Sequence, residues 1–132
     1  MTEKKGIPLV VTLTGANAHD VTAALPTVQA IPPIQGKRGR PRRRPRRLYG
    51  DKGYDSDPLR DALRALRIRP EIAKRRTQDH LGRYRWVVER AFSWINQFRR
   101  LRIRYERLAE LHLAFLYLGC AVICWRALTQ WL

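Results

Sequence analysis

The sequence predicts an α/β fold, in which short strands alternate along the chain with amphipathic helices. Two observations support this class: short β-branched or extended segments recur, and apolar residues at helical spacing follow them. The length of 132 residues is typical of one domain, and a hydrophobic fraction of 45% supplies enough apolar side chains for a core.

The first strand and the first helix are predicted near the N-terminus. Residues 7–14 are rich in β-branched side chains and are followed by a glycine, which is typical of a strand. Asp20 can cap the next helix, because apolar residues then recur at positions 21, 24, 25 and 28 until Pro32 ends the pattern.

Two further strands are predicted on either side of a second helix. Residues 47–50 predict a strand that places Asp51 just past its carboxyl end, within a segment that contains two glycines. Asp57 is expected to cap the helix, with Pro58 at its first position, and residues 67–72 fit the third strand.

Two helices are predicted in the C-terminal part, over residues 83–100 and 107–131. The second is almost continuously apolar from Leu111 to Trp125, a run of 15 residues. This run is shorter than the roughly 18 residues expected of a membrane span. We therefore expect a buried packing helix, and no membrane partner.

The charge of the chain is strongly positive and points to a polyanionic partner. Lysine and arginine total 27 and aspartate and glutamate total 11, which gives a net charge of +16. Nucleic acid is the first candidate, and an anionic membrane surface, bound peripherally, is the second. Two cysteines cannot form a disulfide framework, so the cytoplasm is the expected compartment.

Residues 36–47 form a predicted basic loop, because eight cations fall between positions 37 and 47 with no acid among them. If about six of them met DNA phosphates, the slope of log affinity against log salt would be about −5. A merely solvated charge run is the alternative. The expected phosphate contacts are Lys37, Arg38, Arg40, Arg42, Arg43, Arg44, Arg46 and Arg47.

Two acids could carry chemistry. Asp51 follows a predicted strand, where α/β proteins gather their sites, and Glu89 lies 38 residues later on a predicted helix. Such carboxylates can bind Mg²⁺, and a two-metal site can drive phosphodiester cleavage. The alternative is that Asp51 is a turn or capping residue and that Glu89 forms a surface ion pair with Arg85.

Several motifs in order resemble the C-terminal half of bacterial insertion-sequence transposases of the DDE type. They are Asp51-Lys52-Gly53-Tyr54-Asp55, residues 84–90 (YRWVVER) and residues 99–106 (RRLRIRYE). Residues 6–20 also resemble the segment that precedes the second catalytic aspartate of that family. The basic loop adds a second resemblance, since Arg38-Gly39-Arg40-Pro41 is similar to the core of a minor-groove AT-hook.

The family resemblance implies an RNase-H-like fold, in which three acids bind two Mg²⁺ or Mn²⁺ ions. The implied activity is cleavage at the ends of the element and strand transfer into double-stranded DNA. Asp51 corresponds to the second acid, Glu89 to the third, and Arg85 to a DNA-positioning arginine. In this chain Gly82 occupies the position of the family's signature tyrosine. Asn96 occupies the position of a further expected cation, and Arg90 and Arg99 are the candidates to replace it.

The resemblance also implies that residues 1–132 are a partial domain. We expect the first catalytic aspartate and the central strands to be absent, so that activity would require an upstream half or another copy of the chain. The alternative is a noncatalytic basic remnant that binds DNA without cutting it. Either protein would lie in the bacterial cytoplasm, associated with the nucleoid.

Overall fold

A computed structural model describes residues 1–15, 17–36, 38–76 and 82–130. The chain divides into two compact units. Residues 14–83 form one, called here the strand unit, and residues 1–13 with 84–132 form the other, called the helical unit.

The strand unit is built around a β-α-β connection. It contains α1 (Asp20–Gln29), β1 (Arg47–Gly50), a 3₁₀ turn (Lys52–Tyr54), α2 (Asp57–Ala65) and β2 (Arg69–Ile72). β1 and β2 pair in parallel, with Arg47 opposite Arg69 and Gly50 opposite Ile72. The two later predicted strands are confirmed, with β2 beginning two residues further along than expected. The small parallel sheet agrees with the predicted α/β class.

The core of the strand unit contains the apolar stripe predicted for α2. Leu59 and Leu63 are buried, together with Ile68 and with Val28 from α1. Burial of each such side chain contributes roughly 1.5–3 kcal/mol. The same burial packs α2 against β2 and α1, and Asp51 at the carboxyl end of β1 is exposed to solvent.

Two predicted helix caps are wrong. α2 is capped by Ser56, whose Oγ accepts from the Leu59 N–H at 3.4 Å, because Ser56 has the extended backbone that a cap requires. Asp57 instead lies in the first turn, where its negative charge interacts favourably with the helix dipole. Asp20 likewise begins α1 itself, and His19 occupies the cap position without a side-chain hydrogen bond.

The strand predicted over residues 7–14 does not form. One isolated antiparallel bridge joins Thr2 to Pro8, and the Leu9 N–H donates to the Met1 carbonyl at 3.0 Å. β-branched residues form a strand only when a neighbouring segment satisfies their backbone groups along its length. The described part of the chain offers residues 7–14 only this short pairing.

The helical unit contains α3 (Gly82–Asn96) from residue 84 onwards, α4 (Arg99–Arg102) and α5 (Ala109–Thr129). The helix predicted over residues 83–100 is therefore interrupted, because Phe98 adopts an extended backbone and caps the separate α4. α4 packs closely on α5 at Gly119, where an added Cβ would lie 2.7 Å from Leu101 Cδ1.

The prediction of a buried C-terminal packing helix is wrong for most of α5. Within α5 only Gly119 and Ile123 are buried, because the packed segments reach a narrow part of its surface. By length and composition alone α5 is long and apolar enough to cross a membrane. This is weak evidence, because the core helix of a soluble protein passes the same test. The predicted end at residue 131 lies outside the described residues. The exposed large apolar side chains of α5 are Leu111, Tyr117, Leu118, Val122, Trp125 and Leu128.

Candidate functional site

Asp51 lies immediately after β1, as predicted, and caps the 3₁₀ turn that follows. Its Oδ1 accepts a hydrogen bond from the Gly53 N–H at 2.9 Å. Gly53 permits this close approach, since a Cβ there would lie 3.1 Å from the same oxygen. Within the described part of the chain, Oδ2 of this exposed carboxylate has no hydrogen-bond or ion-pair partner. The capping interpretation is therefore correct, and it leaves one oxygen available to a ligand.

Asp55, four residues later, is held by both of its carboxylate oxygens. Oδ1 pairs with the buried Arg60 at 2.6 Å, and Oδ2 accepts from the Arg75 N–H at 2.9 Å. The hydrogen bond from Arg75, reinforced by Arg60, holds the pKa of Asp55 below its ordinary value. Arg60 also donates to the Ile72 carbonyl at 3.3 Å. Asp55 thus ties the segment after Asp51 to the end of β2.

The phenol of Tyr54 is influenced by Asp51 and by a second acid, Asp20. Burial raises the pKa of the Tyr54 phenol, and the carboxylates of Asp20 and Asp51 raise it further. Asp20 at the start of α1 therefore acts on the same hydroxyl as Asp51. The sequence gives no signal for this, because Asp20 and Tyr54 are far apart in the chain and α1 is brought near Tyr54 by packing on the 3₁₀ turn.

Glu89 and Arg85 form an ion pair on the surface of α3, in the helical unit. Arg85 Nε lies 3.0 Å from Glu89 Oε1, and the two side chains are 81% and 64% exposed. This is the surface ion pair named above as the alternative to a ligand. It occupies one oxygen of Glu89, so the geometry is compatible with either role.

Glu89 also lines an open groove of the helical unit, and this groove contains a cation that sequence reasoning missed. Arg102, on α4, lies in the groove, whereas the Arg90 guanidinium lies over the Trp86 ring at 4.6 Å. Arg90 is therefore committed to an aromatic contact. The break between α3 and α4, which no sequence pattern predicted, places Arg102 there. The lining residues are Glu89, Phe92, Ser93, Asn96, Gln97 and Arg102.

The described part of the basic loop is exposed, as predicted, and a backbone bridge joins Arg42 within it to Ile34 before it. Ile34 and Arg42 form an antiparallel bridge with two backbone hydrogen bonds, each 2.8 Å long. Lys37 lies outside the described residues. The exposed arginines of the loop are Arg38, Arg40, Arg42, Arg43, Arg44, Arg46 and Arg47.

The predicted metal ligands lie in different units, Asp51 in the strand unit and Glu89 in the helical unit. Among the residues that the structure describes, no group of three or more His, Cys, Asp or Glu side chains could hold a metal ion. Exposed carboxylates with an uncommitted oxygen are nevertheless the donors that Mg²⁺ and Mn²⁺ prefer.

Comparisons with known proteins give one family. A family model described as the transposase DDE domain matches residues 1–125. A protein of Burkholderia cepacia, named as a transposase for insertion sequence element IS402, is 58% identical to the chain. The alignment covers 98% of this chain but 63% of that relative, so the chain spans less than two thirds of the relative's length. No solved structure matches the chain.

Proposed function

Because this chain belongs to the DDE transposases of insertion sequences, we propose that it forms part of the catalytic and DNA-binding machinery for transposition. The reaction is metal-dependent cleavage of DNA phosphodiester bonds at the ends of the element, followed by strand transfer. The domain has an RNase-H-like fold. The chain contributes two acids of the site and works together with an upstream half of the transposase or with a second copy.

The position and hydrogen bonding of Asp51 support this proposal most directly. The carboxylate stands at the carboxyl end of a parallel strand, where α/β proteins bind their ligands. Its bond from the Gly53 N–H fixes the carboxylate orientation and leaves Oδ2 for a metal ion. A fixed oxygen loses less conformational entropy on binding than a freely rotating one.

Glu89 is the second acid of this chain in the proposed site. One of its oxygens is paired with Arg85, and that arginine can exchange the carboxylate for a DNA phosphate when the substrate arrives. Arg102 lies in the same groove and can hold a second phosphate oxygen. Asp51 and Glu89 would hold Mg²⁺ or Mn²⁺. When bound, the metal supplies Lewis-acid activation of the phosphodiester and of the attacking hydroxyl.

The basic loop binds double-stranded DNA outside the cleavage site. Seven exposed arginines on one segment can neutralise phosphates without reading bases. Such a protein would act in the bacterial cytoplasm and associate with the nucleoid.

The test is a cleavage and strand-transfer assay on DNA that carries the element's ends, with Mg²⁺ or Mn²⁺. The chain alone is compared with a fusion that adds the part of the IS402 relative that it does not cover. In the active protein, Asp51→Asn and Glu89→Gln should each abolish cleavage and leave DNA affinity within about twofold, since only metal ligands are lost.

Asp61→Asn is the matched control, because Asp61 is an exposed acid whose ion pair within the described part of the chain is with Arg64, also on α2. This variant should cut normally. Retention of cleavage by Asp51→Asn would reject its assignment as a ligand. Cleavage by the short chain alone would reject the requirement for an upstream half.

A noncatalytic DNA-binding remnant is the second candidate. It is favoured by the lack of a cluster of three acids among the described residues, while the exposed arginines need no acid to bind DNA. In that case the fusion would bind DNA and no metal would start cleavage.

A further inference from the structure

The basic loop has a tip and a base that differ in structure. The Ile34–Arg42 bridge closes the loop, and Arg38, Gly39 and Arg40 lie on its far side. Arg43 and Arg44 follow the bridge and lie outside the closed segment. The two pairs of arginines therefore occupy different positions on one loop, although the sequence presents them as a single charge run.

Gly39 at the tip has a backbone conformation that favours glycine. This residue has φ of +98°, a conformation that other residues rarely adopt, and nothing lies within 4 Å of the place where its Cβ would be. Pro41 restricts the preceding Arg40 to an extended backbone. The backbone of Gly39 therefore carries no side chain, and Arg38 and Arg40 flank it on either side.

Both tip arginines are available to a ligand. Arg38 and Arg40 are exposed, and neither forms an ion pair or a side-chain hydrogen bond within the described part of the chain. The loop from residue 38 to residue 47 contains no acid that could neutralise them.

We propose that the Arg38-Gly39-Arg40 tip enters the narrow minor groove of A·T-rich DNA, while Arg43 and Arg44 contact the flanking phosphates. A narrow A·T groove has an enhanced negative potential that attracts inserted arginine. The groove is only about 6 Å wide, which suits a tip whose central residue has no side chain. Guanine would place an exocyclic amino group on the groove floor and obstruct the tip.

This inference rests on the proposed binding of DNA by the basic loop, and it adds a preference that phosphate contacts alone would not give. Fluorescence anisotropy at fixed salt should compare three duplexes of equal length, built on A·T, G·C and inosine·cytosine pairs. Inosine pairs present a G·C-like major groove but lack the minor-groove amino group. We expect the A·T and inosine duplexes to bind about tenfold more tightly than the G·C duplex.

Charge-preserving variants locate the preference. Arg38→Lys with Arg40→Lys should bind all three duplexes with similar affinity, because lysine is more strongly hydrated and enters a narrow groove less readily. The matched control, Arg43→Lys with Arg44→Lys, should keep the preference.

Results of two kinds would contradict these expectations. Equal binding of all three duplexes by the unmodified chain, G·C-like binding of the inosine duplex, or a preference retained by the tip variant would overturn minor-groove entry and leave DNA binding intact. Failure to bind any duplex would overturn the proposed DNA binding of the loop as well.

Discussion

Replacing Glu106 by glutamine should destabilise the chain by about 1.5 kcal/mol, because it removes the charge from a buried carboxylate. The Glu106 side chain is 6% exposed, and its Oε1 lies 3.0 Å from Arg100 NH1. A hydrogen bond to a charged group contributes about 1.5–3 kcal/mol. Arg100 is 63% exposed, so water screens the pair and the lower end of this range applies. For a chain of this size the midpoint of thermal unfolding should fall by about 5 °C.

The assay is thermal and urea unfolding of the full chain, followed by circular dichroism. Glu110→Gln is the control, since it removes the same charge from an exposed residue in the first turn of α5 and should cost less than about 1 kcal/mol. Equal effects of the two substitutions would refute the reasoning, because burial would then make no difference. Among the described residues the buried His112 Nδ1 has no hydrogen-bond partner and lies 3.9 Å from Glu106 Oε2, too far for an amide in the same place to bond to it. A stability gain in Glu106→Gln would therefore also refute the reasoning.

Three further substitutions test separate contacts. Because the pKa of Asp55 is lowered in the folded chain, its stabilisation is present above the ordinary pKa of 3.8 and is lost as pH falls through the lowered value. Asp55→Asn should therefore flatten the acid limb of stability measured by urea unfolding, and an unchanged limb would contradict this origin. Gly119→Ala places a Cβ 2.7 Å from Leu101 Cδ1, so overpacking of about 1–3 kcal/mol should exceed the gain in helix propensity of about 1 kcal/mol. A rise in the thermal midpoint would show that Leu101 moves aside freely. Arg85→Ala breaks an exposed pair with Glu89 and should change stability by less than about 0.5 kcal/mol, so a parallel loss of DNA binding in an anisotropy assay would reflect a lost DNA contact.

The sequence predicted those elements whose signals are local. β1, α2 and β2 are marked by a Gly-rich end, a capped amphipathic helix and a short extended segment, and each lies close to its predicted range. The strand predicted over residues 7–14 did not form, because β-branched composition indicates how well side chains fit a sheet. It says nothing about the presence of a partner strand. The prediction that α5 is buried was wrong for a related reason, since apolar composition does not reveal which segments cover a helix.

Two contacts of the candidate residues could be predicted from the sequence, the turn cap of Asp51 and the Arg85–Glu89 ion pair, whereas their roles in a metal site stay predictions. Asp51 and Glu89 are predicted as ligands from their positions in the chain and from the family resemblance, and Arg85 is predicted as a DNA-positioning residue from its spacing to Glu89 in the family signature. Arg102 could not be found, because its place in the groove depends on the extended Phe98 between α3 and α4. The shared influence of Asp20 and Asp51 on Tyr54 was equally hidden, since it requires α1 to pack on the 3₁₀ turn.

The acids that occur in the transposase-like motifs differ in how far their carboxylates are already committed. Asp55 is bound through both oxygens, and Glu106 is enclosed beside Arg100. Asp51 and Glu89 are exposed and use one oxygen each. A metal ligand needs an accessible oxygen lone pair, so Asp55 and Glu106 are suited to supporting the fold, whereas Asp51 and Glu89 each keep the accessible oxygen that the proposed metal site requires. Substitution of Asp55 or Glu106 should therefore reduce cleavage only as far as it reduces the folded fraction, whereas substitution of Asp51 or Glu89 should abolish cleavage in a protein that remains folded.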